Sequence, residues 1–529
     1  MGCTQTKTDS NPEGVLHASR KTTYKLNIKS EKITDFVDFG GKKVALGEGM
    51  TGEVVKATYK STGTPVAVKK VSKHTVKDLK ALRLEIELLS NLDHPNVVKI
   101  LDAFEDSKTL YMILEICPGG DLLDQLLAKK NHRYTEREAQ NILIQMCRAV
   151  GYIHAKGICH RDLKMDNWLF TSTENDNQEL KLIDFGLSKK YYNATKAVAD
   201  MKTFLGTPGF VAPEIQQAYY GEIDHYDNAI DMWSLGVIAY CLVSGKMPFK
   251  RRGGDCVPLD DKLNRAYAKN FKSGIWADGT ISKECHSFID ALLAPDPGDR
   301  MTPEECLKHP WLKTLVAHKS VAFDKKTLEN LKYFSSAGAK EKAAMTIMAE
   351  CLHPEDIVDL RDKFLDIDAK NPKSSGFITW GDMKQVLEAS HADKFTVEQI
   401  HKLFSEIIVD SHCQESMVYT EFLAATMDHG MLHNKNRLKD AFRRLDPGNS
   451  GFVDMSELEE LFSAVALKGN RKDDLTRKVR NASKKEKRQE NKISFRSFCD
   501  ILDKEHAEQV EKVQGQQVDV TDIKFNPTV

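Results

Sequence analysis

The chain of 529 residues has no apolar run approaching the eighteen or so residues that a membrane-spanning helix needs, so nothing in it crosses a bilayer that way. It also lacks an excess of charge of one sign: 76 Lys and Arg face 77 Asp and Glu, for a net charge of −1. That balance gives no basic footprint, and no nucleic-acid partner is expected. The eleven cysteines are scattered, odd in number and without a C-x-x-C pair, which suits reduced thiols in a cytoplasmic compartment. Apolar residues are plentiful at 41%, enough for real cores, and the length predicts about three domains.

What the chain does have is a set of phosphate-handling signatures in the order one reaction requires. The run Leu46-Gly47-Glu48-Gly49-Met50-Thr51-Gly52-Glu53-Val54 precedes Lys69 in Val-Ala-Val-Lys. His160-Arg161-Asp162, Asn167, Asp184-Phe185-Gly186 and Ala212-Pro213-Glu214 follow. A lone G-x-G-x-x-G is weak, because glycines also serve turns; the ordered set is not weak.

Each residue type suits one part of phosphoryl transfer. Gly47, Gly49 and Gly52 predict a hairpin tip where backbone N–H groups approach the ATP phosphates without a Cβ in the way. Lys69 offers its charge to the α- and β-phosphates and needs a carboxylate to hold it. Glu85, on the helical stretch from Leu82 to Leu92, takes that role, since Glu87 points about 200° further round the helix. Asp162 is the candidate acceptor of the substrate hydroxyl proton, and Lys164 steadies the transferred group. Asn167 and Asp184 carry the oxygen ligands that Mg2+ prefers. A dead kinase fold that kept the sequence shape, acting as a membrane-tethered scaffold, is the noncatalytic alternative.

On these motifs, residues 39–312 resemble the eukaryotic protein kinases, an α+β bilobal fold with a β-rich N-lobe and an α-rich C-lobe. Asp231-Met232-Trp233-Ser234-Leu235-Gly236 looks like the family's large buried helix, and Arg300 like the arginine that pairs with Glu214. The resemblance implies Glu115 and Cys117 as further ATP-binding residues. Lys164 and Thr207 match serine/threonine kinases. Met165, where proline is usual, and Trp168 depart from the family pattern but carry neither proton nor metal. Asp121 and Asp166 occupy positions where basophilic members hold carboxylates for an arginine of the protein substrate, a charge-assisted contact. The bland readings are ribose binding for Asp121 and a turn cap for Asp166.

Over residues 2 to about 500 the chain is similar to calcium-dependent protein kinases, which implies an all-α EF-hand lobe and Ca2+ beside ATP and Mg2+. The expected layout is a flexible leader (1–38), the kinase domain (39–312) and an autoinhibitory junction (313–352). A degenerate EF-hand pair (353–430), a second pair (431–504) and a polar tail (505–529) complete it. The leader begins Met1-Gly2-Cys3-Thr4-Gln5-Thr6, so Gly2 fits myristoylation and Cys3 can take palmitate. A peripheral, lipid-anchored location at a membrane surface is the expectation, and the second lipid decides between transient and lasting attachment. Thr203 sits where many kinases are phosphorylated, and phosphate there would pair with Arg161.

In the junction, Leu328, Leu331, Ala344, Ile347, Met348 and Cys351 recur at helical spacing beside Lys325, Lys326, Lys332, Lys340 and Lys342. Such a basic amphipathic stretch blocks a substrate groove, docks into the EF-hand lobe or links two domains. Among the hands, the third is nearly complete from Asp446 to Glu457. Its ligands are Asp446, Ser450, the Phe452 carbonyl, Asp454 and Glu457, with Gly448 leaving a gap at position three. The first hand runs from Asp366 through Asp368 and Gly376 to Asp382, with ten steps to its glycine where five are expected. The second, Asp410 to Glu421, has no glycine turn, and the fourth puts Arg488 and Ser497 at ligand positions. One good site shifts a two-state equilibrium by at most about 1.4 kcal/mol per tenfold rise in calcium. A swing from 1% to 99% active needs about 5.5 kcal/mol, so a shallow response with a Hill coefficient of about two or less is expected. The alternative is an active kinase under Thr203 or partner control, with a calcium-indifferent docking lobe.

Overall fold

A computed structural model describes residues 28–41, 44–49, 52–74, 79–173, 179–190, 206–207, 209–220, 222–223, 226–249, 274–316, 322–337, 339–350, 352, 357–369, 376–390, 401, 404–405, 407, 416–428, 430, 438–439, 442–443, 446, 450–454, 492–496 and 499. Gly2, Cys3, Met50, Thr51, Thr203 and Glu457 lie outside these residues, as do the side chains of Glu48 and Asp454.

The first lobe is an antiparallel sheet of β1 (Val44–Gly49), β2 (Gly52–Tyr59), β3 (Pro65–Ser72), β4 (Ile100–Glu105) and β5 (Thr109–Glu115), in the order β1-β2-β3-β5-β4. The two-residue strand Val37–Asp38 adds to β2. β3 is central and covered on both faces, which is why it reads Val-Ala-Val-Lys-Lys-Val rather than as a strict alternation. Val66 and Val68 join Val55, Phe104 and Ile113 in a small outer core. Val71 faces the other way, toward Leu82, Ile86 and Leu89 of helix α1 (Leu79–Ser90).

The second lobe is helical. Thr135 caps helix α2 (Glu136–Ala155) in a capping box with Glu138, whose carboxylate accepts the Thr135 N–H at 2.8 Å. Its buried stripe includes Leu143, Met146, Cys147, Val150 and Ile153. Helix α3 (Ala229–Ser244) is buried all round from Ile230 to Ser244, as the resemblance implied. Gly236 permits its close approach to the helix Lys283–Leu292, since a Cβ there would lie 2.8 Å from Leu292 Cβ. Arg300 and Glu214 form the expected buried pair, with one of their two hydrogen bonds at 2.8 Å.

A separate core belongs to the C-terminal lobe, and the junction is part of it. Helices α4 (Lys325–Ser336) and α5 (Ala339–Glu350) are two pieces, broken at Ala337. Leu331, Phe334, Ala344, Ile347 and Met348 are buried with Phe364 of α6 (Val358–Asp368), Val386 of α7 (Trp380–Ala389) and Phe422 of α8 (Tyr419–Thr426). Cys351 lies outside the described residues. Short strands tie the hands in pairs: Ile378 registers with Met417, and Val453 with Ile493. Among the described residues no helix is long and apolar enough to cross a membrane.

Candidate active site

The cleft is assembled from both lobes of the kinase domain. β1 and β2 form the expected hairpin, with Gly49 opposite Gly52. The glycine at position 52 answers first to the sheet: at φ +155° its Cβ would lie 1.9 Å from the Lys70 carbonyl oxygen of β3. Gly47 has open space where a Cβ would point. Leu46 is 44% exposed and Val54 half-buried, while Glu53 lies 3.8 Å from Lys70 Nζ.

Lys69 donates to Glu85 Oε1 at 2.8 Å and to Asp184 Oδ1 at 3.1 Å. Burial alone would lower the Lys69 pKa; the charges of Glu85 and Asp184 outweigh it and hold the ammonium above its usual value. Burial likewise works against the Asp184 carboxylate, and Lys69 overcomes it, keeping Asp184 below the usual range. This ion pair places α1 against the sheet and the Asp-Phe-Gly aspartate in the cleft at once.

Asp162 is buried, with Lys164 Nζ 3.7 Å from Oδ2 and the Thr207 hydroxyl donating to Oδ1 at 2.8 Å. Asn167 Nδ2 donates to the Asp162 carbonyl at 2.8 Å, which commits the amide nitrogen and turns the amide oxygen to other work. With the second oxygen of Asp184, this gives the hard donor set that Mg2+ takes. Arg161 and Asp184 both adopt left-handed backbone, φ 69° and 62°, a strain that accompanies functional positions.

Sequence reasoning missed the residue that holds this loop. Asp231, buried on α3, accepts the backbone N–H groups of His160 and Arg161, both at 2.9 Å, and bonds His154 Nε2 at 2.9 Å. The only signal was one carboxylate in an otherwise apolar helix. Burial pushes the His160 pKa down, and its ring meets Phe185 edge-on at 5.1 Å. Arg161 Nε donates to the Leu187 carbonyl at 2.6 Å.

Glu115 closes β5 with its side chain on the Lys99 N–H (2.7 Å) and Lys181 Nζ (3.1 Å), so its carboxylate is engaged within the protein. Burial raises the Cys117 thiol pKa, keeping it neutral. Asp121 caps the helix Leu122–Ala128 through the Asp124 N–H at 2.8 Å. Burial raises its pKa, and the charges of Asp124 and Asp166 add to that. Asp166 is exposed beside it, while the departures Met165 and Trp168 are buried core residues.

In the third hand, Asp446 Oδ1 accepts the Ser450 N–H at 2.8 Å and Oδ2 the Gly451 N–H at 2.6 Å. Gly451 sits at φ 80°, so the described part of the loop has the frame a calcium loop needs. The first hand opens at Asp368, not at Asp366 as its sequence suggested. Asp368 ends α6 and accepts the Gly376 N–H at 2.9 Å, the bond that Asp446 makes in the third hand. The helix continues through Asp366, so the loop has eight steps to its glycine rather than ten.

A glycine-lined hairpin, a lysine held by a helix glutamate and a buried aspartate beside a threonine define a protein serine/threonine kinase with its catalytic groups aligned. The chain matches the protein kinase domain over residues 41–312. It is 34% identical over 466 residues to calcium-dependent protein kinase 3 of Plasmodium berghei (strain Anka), covering 86% of this chain and 78% of the relative. Calcium-dependent protein kinase 17 of Arabidopsis thaliana is 31% identical over 432 residues, covering 80% and 77%. Calcium-dependent protein kinase 5 of Plasmodium falciparum (isolate 3D7) is 30% identical over 443 residues, covering 83% and 73%. The chain belongs to the calcium-dependent protein kinase family.

Proposed function

We propose that this kinase phosphorylates serine or threonine downstream of basic residues, at a membrane surface, and that calcium at the third hand keeps its junction out of the substrate groove. One observation carries the regulatory part. The apolar face of α4 and α5 is buried in the EF-hand lobe while Lys69, Glu85 and Asp184 stand aligned. An amphipathic segment buried there has no apolar face left for the groove.

Asn167 and Asp184 would hold Mg2+, which when bound would offset the charge of the ATP phosphates. Lys69, fixed by Glu85, orients the α- and β-phosphates under the hairpin of residues 46–54. Asp162 accepts the hydroxyl proton, Thr207 holds that carboxylate in place, and Lys164 neutralises charge on the group in flight. The backbones of Glu115 and Cys117 receive the adenine. Asp121, whose ionisation burial and the neighbouring Asp124 and Asp166 charges oppose, would gain from an incoming guanidinium, with Asp166 beside it as a second acceptor. Phosphate on Thr203 would meet Arg161. A myristoyl group on Gly2 and palmitate on Cys3 would give the two signals that lasting peripheral attachment requires.

The test is phosphorylation of an arginine-containing serine peptide by the full chain, from chelator to about 100 µM free calcium. A rise in rate lost in Glu457→Gln supports control through the third hand; a rate indifferent to calcium refutes it. Radiolabelled myristate carried by the wild type and not by Gly2→Ala tests the anchor.

A further inference from the structure

The kinase domain and the first EF-hand pair meet on a surface defined by polar contacts. Asp93 accepts the Thr420 N–H (2.9 Å) and hydroxyl (2.8 Å), capping α8 from outside its own lobe. Gly376, at φ +73°, lies so close that a Cβ would come within 2.6 Å of Tyr152. These contacts seat the lobe. A further one leads from it toward the ATP cleft. Arg361 of α6 donates to Glu179 Oε2 at 2.9 Å. Glu179 Oε1 stands 3.6 Å from Lys181 Nζ, on the short strand Leu180–Leu182 that leads to Asp184. Lys181 Nζ in turn stands 3.1 Å from Glu115 Oε1, which also accepts the Lys99 N–H at 2.7 Å at the end of β5.

The kinase domain alone brings two carboxylates and one ammonium to this line of charges. The side chains of Glu179 and Lys181 are 7% and 10% exposed, so water does little to offset the surplus negative charge. Arg361 supplies the second cation from the EF-hand lobe. Its other partner, Asp362 at 2.9 Å, is 56% exposed and screened by solvent. We propose that Arg361 is a positioning residue for ATP: by completing this ion cluster, the seated lobe holds the Glu115 carboxylate and, with it, the backbone from Glu115 to Cys117 that receives the adenine. The proposal rests on that adenine site and not on calcium control.

The distances show how the cations are shared. Glu179 has Arg361 at 2.9 Å, which leaves Lys181 closer to Glu115 than to Glu179. Burial alone would lower the Lys181 pKa; Glu115 and Glu179 outweigh it and keep the ammonium charged. Without Arg361, Glu179 is a buried carboxylate short of a cation, and it competes with Glu115 for Lys181. The end of β5 then loses its tie. Coupling of this kind is reciprocal, so ATP that settles the end of β5 also tightens the seat of the lobe.

The test is steady-state kinetics of the full chain at about 100 µM calcium, with ATP and a serine peptide varied in turn. Arg361→Met is expected to raise the KM for ATP about fivefold, the low end of coupling between distinct sites, and to leave the peptide KM within about twofold. Thr420→Val, which loosens the same seat without touching the cluster, should leave both within about twofold. An unchanged ATP KM in Arg361→Met, or an equal rise in Thr420→Val, overturns the proposal. So does a rise in the peptide KM alone, which would mean that the lobe had merely released the junction. Slower hydrogen exchange at 110–117 when ATP binds the wild type tests the adenine site separately. Without that slowing both the site and the proposal fail; with it, an unchanged ATP KM overturns the role of Arg361 alone. Should Arg361→Met fail to fold, saturating ATP should slow exchange at 358–368 of the wild type about fivefold, and no slowing there overturns the proposal.

Discussion

At the scale of single residues, Asp162 and Asp121 are both carboxylates but face opposite demands. Asp162 is fixed by Thr207 and Lys164 for one proton transfer. Asp162→Asn should lower kcat by about a hundredfold or more with little change in ATP affinity, checked by steady-state kinetics on a serine peptide. Asp121 is raised by burial and by its acidic neighbours, so it begins to take a proton above the ordinary carboxylate range as pH falls. On the proposed preference for basic substrates, an arginine peptide would need it ionised. Its KM should therefore climb as pH drops from 7 toward about 5, and Asp121→Asn should flatten that climb while raising KM at pH 7. Residues whose type the chemistry dictates were legible in the sequence: Lys69, Asp162, Asn167 and Asp184 all converge. Asp231 was not, because its value lies in reaching two N–H groups some seventy positions away, and spacing along the chain carries no trace of that.

At the scale of elements, the hairpin of β1 and β2 shows how one residue serves two purposes. The phosphate argument singled out Gly52 for the ligand, but the Lys70 carbonyl already forbids a side chain there. Gly52→Ala should destabilise the sheet by about 1–3 kcal/mol, seen as a lower Tm even without nucleotide. A Tm that falls only when ATP is present would assign the glycine to the ligand alone. The junction's apolar spacing was read correctly as helical, but its division at Ala337 was not, since Lys340 and Lys342 continue the same basic character. The first hand's opening residue was misplaced for a related reason: Asp366 and Asp368 are equivalent ligands on paper. Only the length of α6 decides between them.

At the scale of the whole molecule, the calcium response should be shallow, with a Hill coefficient of about two or less in the peptide assay. A value of about three or more would mean that loops with the wrong length or a cation at a ligand position bind after all. The kinase fold and the presence of an EF-hand lobe were evident from motif order. The seat of that lobe on the kinase domain was not, because Asp93 and Thr420 are 327 residues apart and neither belongs to a motif.

The three backbone pairs that join Phe452–Asp454 to Lys492–Ser494 have a consequence in time. They pair the loop proposed to hold calcium with the strand that follows Arg488, which the sequence puts at a ligand position, so on the proposed function the third hand has no second ion to wait for. Loss of calcium from this couple is then a single exponential step. The dissociation rate of one ion sets how long the enzyme remembers a signal after calcium has fallen.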